Sequence, residues 1–261
     1  MKRRRNIPVR ALGAEVGLPG ADELAAWIGR QHGRPGDLLS YQIDRSLEAQ
    51  HGIDYPCAGG LFYRSRWERA IAGVEQGRLV ADPEPVAGPL AEDAHRIASM
   101  RKKAWVAAPA PSMLAIENSF FAGEDEYYAA LADVYRRLTR EMRDAGVGGH
   151  VLIAEAFDPV EIEALTGRKM LLFATKQTPR SLAALLEEQD RIAVFGRELS
   201  SLLDLLGEYD VRQLVIVDPA PEHFEAVLEH FDPGSLAAGG YCTESCDRYW
   251  NDLAEAAHLL L

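Results

Sequence analysis

The stretch AWVAAPAPSMLAIENSFFAGEDEYYAALADVYRRLTREMRDAGVGGHVLIAE, residues 104–155, decides the fold class. An apolar run (104–110) leads into a proline-rich turn. A long amphipathic helical pattern follows from 124 and stops near Gly146, and a second apolar run, HVLIAEAF, spans 150–157. Two apolar strands bracketing a helix form a βαβ unit, and parallel strands need such a crossover because a tight hairpin cannot join them.

Working outward, six more short apolar runs recur: VRALGAEV (9–16), GIDYPCAG (52–59), KMLLFAT (169–175), RIAVFGR (191–197), QLVIVDP (213–219) and LAAGGYC (236–242). The runs near 150, 169, 191 and 213 are apolar on both alternations, as strands covered on both faces must be. Helical patterns separate the runs at 21–31, 37–51, 64–76, 93–102, 124–145, 159–166, 179–189, 198–208, 221–231 and 247–261. Asp158-Pro159 and Thr178-Pro179 each place a capping residue before a proline at a first helical turn. Gly146, Gly167 and Gly207 fall where helices should stop. Eight strands alternating with helices predict an α/β fold, a single (β/α)8 TIM barrel over 8–261. An open doubly wound sheet is the alternative. Residues 77–91, with three prolines, are expected to form a surface excursion between the second and third strands.

The chain has 261 residues, 48% of them hydrophobic, and a net charge of -12. That charge argues against a nucleic-acid surface, which would be basic. The basic run at 2–5 reads as a flexible, solvated N-terminus over 1–7. No apolar run approaches the ~18–20 residues that cross a bilayer, and no signal-peptide core follows the basic start, so a cytoplasmic location is expected. Cys57, Cys242 and Cys246 are too few for a disulfide scaffold and read as thiols or ligands rather than bridges.

In a barrel of this kind the site lies at the C-terminal ends of the strands. The capable side chains there are Glu15, Cys57, Ser112, Glu155, Lys176, Arg197 or Glu198, Asp218, and Cys242 with Cys246. Glu155 closes an apolar run, where an acid is paired, protonated or at the mouth. Asp218 either caps the following helix or holds a ligand amine. Cys57 reads equally as a buried apolar residue. The Cys-x-x-x-Cys pair alone is a weak metal signal, because structural zinc needs four ligands. His223 and His230 read as solvated helix positions, and His150 lies at the end opposite the mouth.

The stretch 104–155 resembles cobalamin-independent methionine synthase, within the superfamily that includes uroporphyrinogen decarboxylase. The carriers are the Pro-rich strand end, the acidic, Tyr-containing helix start GEDEYYAALADVYRR, the Ala145-Gly146 stop, and a strand end where Glu155 alone remains of an Asp-Glu-Pro signature. More faintly, GIDYPCAGG is similar to a family strand ending in Asp-Gly-Glu but reads Ala58, Gly59, Gly60. Asp218 matches a substrate-binding Asp, and Cys242 matches the zinc Cys of the final strand. The resemblance departs at the rest of the zinc site. The family's His-x-Cys pair has no counterpart, since no His or Cys occurs between 151 and 222, and Glu198 lies about two positions beyond the family's Glu.

The resemblance implies a methyltransferase or one-carbon-transfer enzyme acting on a small thiol or amino acid, with Glu155 and Asp218 at the chemistry and Glu15, Ser112, Arg64 and Arg197 binding substrate. A rearranged zinc site of Cys242, Cys246, Cys57 and Glu198 is one expectation, and absence of zinc is the other. A metal-free decarboxylase-like enzyme would use Arg64, Arg66 or Arg197 on substrate carboxylates. A non-catalytic barrel would bind a small molecule or a corrinoid methyl-carrier protein. No membrane or nucleic-acid partner is expected.

Overall fold

A computed structural model describes residues 4–31, 36–244 and 246–260. The strands are β1 (Arg4–Asn6), β2 (Val9–Ala14), β3 (Cys57–Gly59), β4 (Ile71–Glu75), β5 (Arg78–Pro85), β6 (Trp105–Pro109), β7 (Glu117–Asn118), β8 (His150–Ala154), β9 (Met170–Ala174), β10 (Arg191–Phe195), β11 (Gln213–Val217), β12 (Leu236–Cys242) and β13 (His258–Leu260). The helices are α1 (Ala21–Gly29), α2 (Leu38–Glu48), α3 (Arg64–Arg69), α4 (Gly88–Met100), α5 (Glu124–Asp144), α6 (Pro159–Leu165), α7 (Pro179–Glu188), α8 (Leu199–Leu203), α9 (Pro221–Val227) and α10 (Cys246–Ala256). No described helix is long and apolar enough to cross a membrane.

The fold is mixed α/β built on parallel sheets. All eight apolar runs become parallel strands, divided between two four-stranded sheets of order β10-β11-β12-β2 and β3-β6-β8-β9. At one junction β2 meets the segment before β3 through a parallel bridge, Arg10 to Tyr55, with Ala11 N–H donating to Tyr55 O and Tyr55 N–H to Val9 O. At the other, β9 and β10 lie side by side with no ladder between them. There side chains take over: Gln177 Nε2 donates to Ala174 O (3.0 Å) and Ala193 O (2.8 Å), and its Oε1 accepts from Phe195 N–H (3.0 Å). Gln189 likewise meets the N–H and O of Leu172 on β9 (3.3 and 3.4 Å). The described ladders are thus two half-sheets where one continuous ring of eight was expected.

The start signals hold. Asp158 and Thr178 accept from backbone N–H groups of α6 and α7 in capping boxes, and Gly146 takes φ +114° after α5. Six expectations are corrected. The pattern at 64–76 is helical only to Arg69, because Gln76 (φ 49°) and Gly77 (φ 79°) form a tight turn joining β4 to β5 as a hairpin. That hairpin's second arm takes up the start of the 77–91 segment, and α4 begins at Gly88 rather than 93. The N-terminal residues Arg4–Asn6 are not frayed but pair antiparallel with β13, which takes the last turns of the helix expected at 247–261. Lys2, Arg3 and Leu261 lie outside the described residues. His223 is not simply solvated: its Nδ1 accepts from Ala220 N–H (3.0 Å) and its ring packs on Gly196.

Candidate functional site

The strand registers decide which candidates meet. In parallel ladders Cys242 pairs with Ala14, the last residue of β2, while Cys57 pairs with Trp105, the first residue of β6. Cys57 opens β3 and, two residues on from the Arg10–Tyr55 bridge, lies level with the middle of β2 rather than with its end, and among the described residues the three cysteines do not group as ligands. Cys57 is fully buried, and burial pushes its thiol pKa up, away from the thiolate a metal needs. Cys242 and Cys246 are joined in a disulfide, which corrects the reading of both as thiols or ligands. Their four-residue spacing across the strand–helix turn puts the Cα atoms 5.7 Å apart, inside bridging range. Glu198 turns to Arg197 (3.5 Å). Among the described residues no three His, Cys, Asp or Glu side chains group as metal ligands. The zinc set does not fit this arrangement, and no chemical step is derived through it.

At the C-terminal ends of β11, β12 and β2, which are adjacent, a different group assembles. Glu15 follows β2 directly. Its Oε1 accepts from Tyr241 OH on β12 and from Leu61 N–H (2.9 Å), and its own N–H donates to Cys242 O (2.7 Å). Burial, and then the Glu15 charge, raise the Tyr241 pKa, so the phenol stays protonated and donating. Asp218 follows β11 with φ +49°, although it precedes Pro219, which disfavours helical conformations of either hand. A non-glycine residue held there marks local strain of the kind found at functional positions. Its Oδ1 accepts from Tyr249 OH on α10 (2.5 Å). Two strand spacings, ~10 Å, separate the ends that carry Glu15 and Asp218.

Glycines make room for this. A Cβ on Gly60 would stand 2.1 Å from Ala14 O and 3.2 Å from Glu15 Oε1. The carboxylate of Glu15 thus lies beside the position where the resemblance expects the acid of an Asp-Gly-Glu. An aromatic wall adjoins it: Phe173 on β9 lies 6.1 Å from the Tyr241 ring and 5.5 Å from Phe195 on β10, centroid to centroid.

The other candidates are dispersed. Glu155, after β8, pairs with Lys176 (2.5 Å), and both side chains are more than half exposed, so this is a rim ion pair of small energetic weight. Arg197 stacks over Phe195 (4.3 Å) at the end of β10. Arg64 points at Glu68 (3.5 Å). Arg66 is held by Asp37 and Asp93 (2.9 Å each), and Asp93 also accepts from Tyr63 OH (2.7 Å). Ser112, in the short 3-10 turn after β6, donates its N–H to Glu161 Oε1 (2.6 Å). Glu161 is fully buried; desolvation raises its pKa, and its second oxygen accepts from Asp158 N–H (3.1 Å).

Sequence reading passed over Tyr241, Tyr249, Phe173 and Glu161. Only Glu161 left a local signal, as the third residue after the cap Asp158. Tyr241 and Glu15 are 226 residues apart, and no local pattern joins them.

No family model matches the sequence, and no curated protein matches it. Among solved structures, the chain is similar to a B12-independent methionine synthase from Shewanella sp. W3-18-1, solved in complex with selenomethionine, with a TM-score of 0.67 and 13% identity over 97% of both chains. At that identity the likeness is one of fold.

Proposed function

We propose that this chain is a methionine synthase-like protein that binds a small amino acid or thiol at the C-terminal ends of its strands and takes part in one-carbon transfer. In this reading the two half-sheets are the halves of one (β/α)8 barrel, and the β9/β10 junction is its loosest seam. The observation that carries the reading is the Glu15–Tyr241 and Asp218–Tyr249 pair of tyrosine-held carboxylates beside an aromatic wall, on a fold that matches a methionine synthase end to end.

Glu15 and Asp218 hold the ammonium of an amino acid. Each carboxylate keeps a free acceptor oxygen after its tyrosine bond, and the tyrosines fix their orientation. Phe195, partly exposed and backed by the buried Phe173, packs the apolar part of the side chain. Arg197, exposed at the rim, meets a substrate carboxylate bidentately. Glu155 joins the chemistry only by exchanging Lys176 for substrate. The methyl donor in this reading is a corrinoid methyl-carrier protein or a small methylated cofactor.

Binding without turnover is the second reading, and one observation favours it: the bridge occupies both thiols that would otherwise carry thiolate chemistry at this mouth. The test is incubation of reduced and of oxidised protein with methylcobalamin and homocysteine, quantifying methionine. Methionine production that falls at least tenfold in Glu15→Gln and Asp218→Asn supports the transfer reading. Saturable amino-acid binding with no methionine supports the second. Neither binding nor turnover refutes both.

A further inference from the structure

The opposite end of the strands carries an unanswered charge. Arg10, the second residue of β2, is 6% exposed, and its guanidinium lies between two rings, 4.6 Å from the centroid of Tyr55 and 4.7 Å from that of Trp105. With both faces covered, its N–H donors can be met only from the edge. Among the described residues no hydrogen bond reaches the guanidinium, and Nε is buried without a partner. Asp54, next to Tyr55 in the chain, turns Oδ2 to Val9 N–H (2.8 Å) and forms no ion pair with Arg10. Among the described residues Arg10 forms no ion pair, and a second cation, Arg191, bears on it. Arg191, the first residue of β10, is anchored through its guanidinium to Gly167 O (2.9 Å) and Met170 O (3.4 Å) and pairs with Asp190 (3.8 Å).

A charge buried this deeply without a counter-ion is costly, and buried charges in folded proteins are ordinarily paired. The aromatic sandwich supplies cation–π attraction but satisfies no donor. Burial accordingly works against the charged form of Arg10. What the place lacks is a small acceptor bearing negative charge. Access is from the Tyr55 side, since that residue is 41% exposed while Trp105 is 9%.

We propose that the N-terminal end of the strands is a small-oxyanion site, in which a carboxylate or phosphate group enters beside Tyr55 and is bound by Arg10. A planar guanidinium clamped between two rings is preorganised for in-plane oxyanion recognition, since little rotamer freedom is left to lose. The site is separate from the strand ends that carry Glu15 and Asp218, and does not depend on what they bind.

The test is calorimetric titration of the intact protein with inorganic phosphate and, separately, with acetate, at constant ionic strength. The expected result is one saturable site per chain for at least one of the two anions, weakened at least tenfold in Arg10→Met and less in Arg10→Lys. Whichever anion binds more tightly identifies the headgroup class. Arg10→Met removes an unpaired buried charge while keeping an unbranched stem between the rings, so it is expected to fold; circular dichroism verifies this. No saturable binding of either anion to the wild type overturns the proposal whatever the variants do. So does undiminished affinity in a folded Arg10→Met.

Discussion

Replacing Gln177 with Met tests how the two half-sheets are held together. The side chain is 9% exposed and answers three backbone groups across the β9/β10 junction: Ala174 O at 3.0 Å, Ala193 O at 2.8 Å and Phe195 N–H at 3.0 Å. Met keeps the length and removes every polar atom. Each backbone group then loses its partner in a place that water reaches poorly, at ~1 kcal/mol or more apiece. The three sum to about 3 kcal/mol, against which the gain from burying a thioether is small. For a chain of this size that lowers Tm by roughly 6–12 °C. Urea unfolding gives the free energy, and amide hydrogen exchange reads Phe195 directly. The expected result is a loss near 3 kcal/mol with an unchanged denaturant slope, and faster exchange at Phe195 than at Val194 or Ala193. A loss below ~1 kcal/mol with Phe195 still protected would refute the idea that this glutamine stands in for a missing ladder.

Three further outcomes follow from single features. In a double-mutant cycle of Glu15→Gln and Tyr241→Phe, unfolding free energies should show a coupling of about 1–2 kcal/mol, as for a partly buried hydrogen bond to a charged group; additivity within ~0.3 kcal/mol would mean that the pair is incidental. His150 is fully buried with both ring nitrogens unpartnered, and burial lowers its pKa from 6.5 to about 3. Between those values the unfolded chain takes up a proton that the folded chain does not. Stability should therefore fall by ~1.4 kcal/mol per pH unit from about 6.5 down to about 3 and level off below; in His150→Leu that part of the slope should vanish, and an identical pH profile would contradict the account. Reducing the Cys242–Cys246 bridge should release two thiols countable by alkylation and cost roughly 2 kcal/mol, the loop-entropy value for so short a closure; two thiols free before reduction would contradict the bridge.

The eight parallel strands were legible because each is a short apolar run bounded by turn residues, a pattern that survives whatever sheet the strand joins. The hairpin of β4 and β5 was not. WERAIAGVEQ carries helical spacing, and only the left-handed Gln76-Gly77 turn, a backbone property, converts its second half to a strand. The end of the chain misleads in the same way: AEAAHLL continues the helical pattern of α10, yet β1 offers an unpaired edge that takes His258–Leu260 as a strand. In the site, Glu15 and Asp218 could be read from their places just after apolar runs. The tyrosines that orient them could not, since the partners are 226 and 31 residues away and are brought together by strand order for Tyr241 and by the docking of α10 for Tyr249. The cysteines show the limit from the other side: composition favoured thiols, and a local Cα separation of 5.7 Å allowed a bridge.

The central claim is that the strand ends bearing Glu15, Tyr241 and Asp218 bind a small amino acid. Calorimetric titration of the protein with methionine tests it most directly. The account predicts one saturable site per chain, weakened at least tenfold by Glu15→Gln and by Asp218→Asn and unchanged by Arg10→Met at the other end of the strands. No saturable binding, or binding that survives both carboxylate substitutions intact, would contradict it.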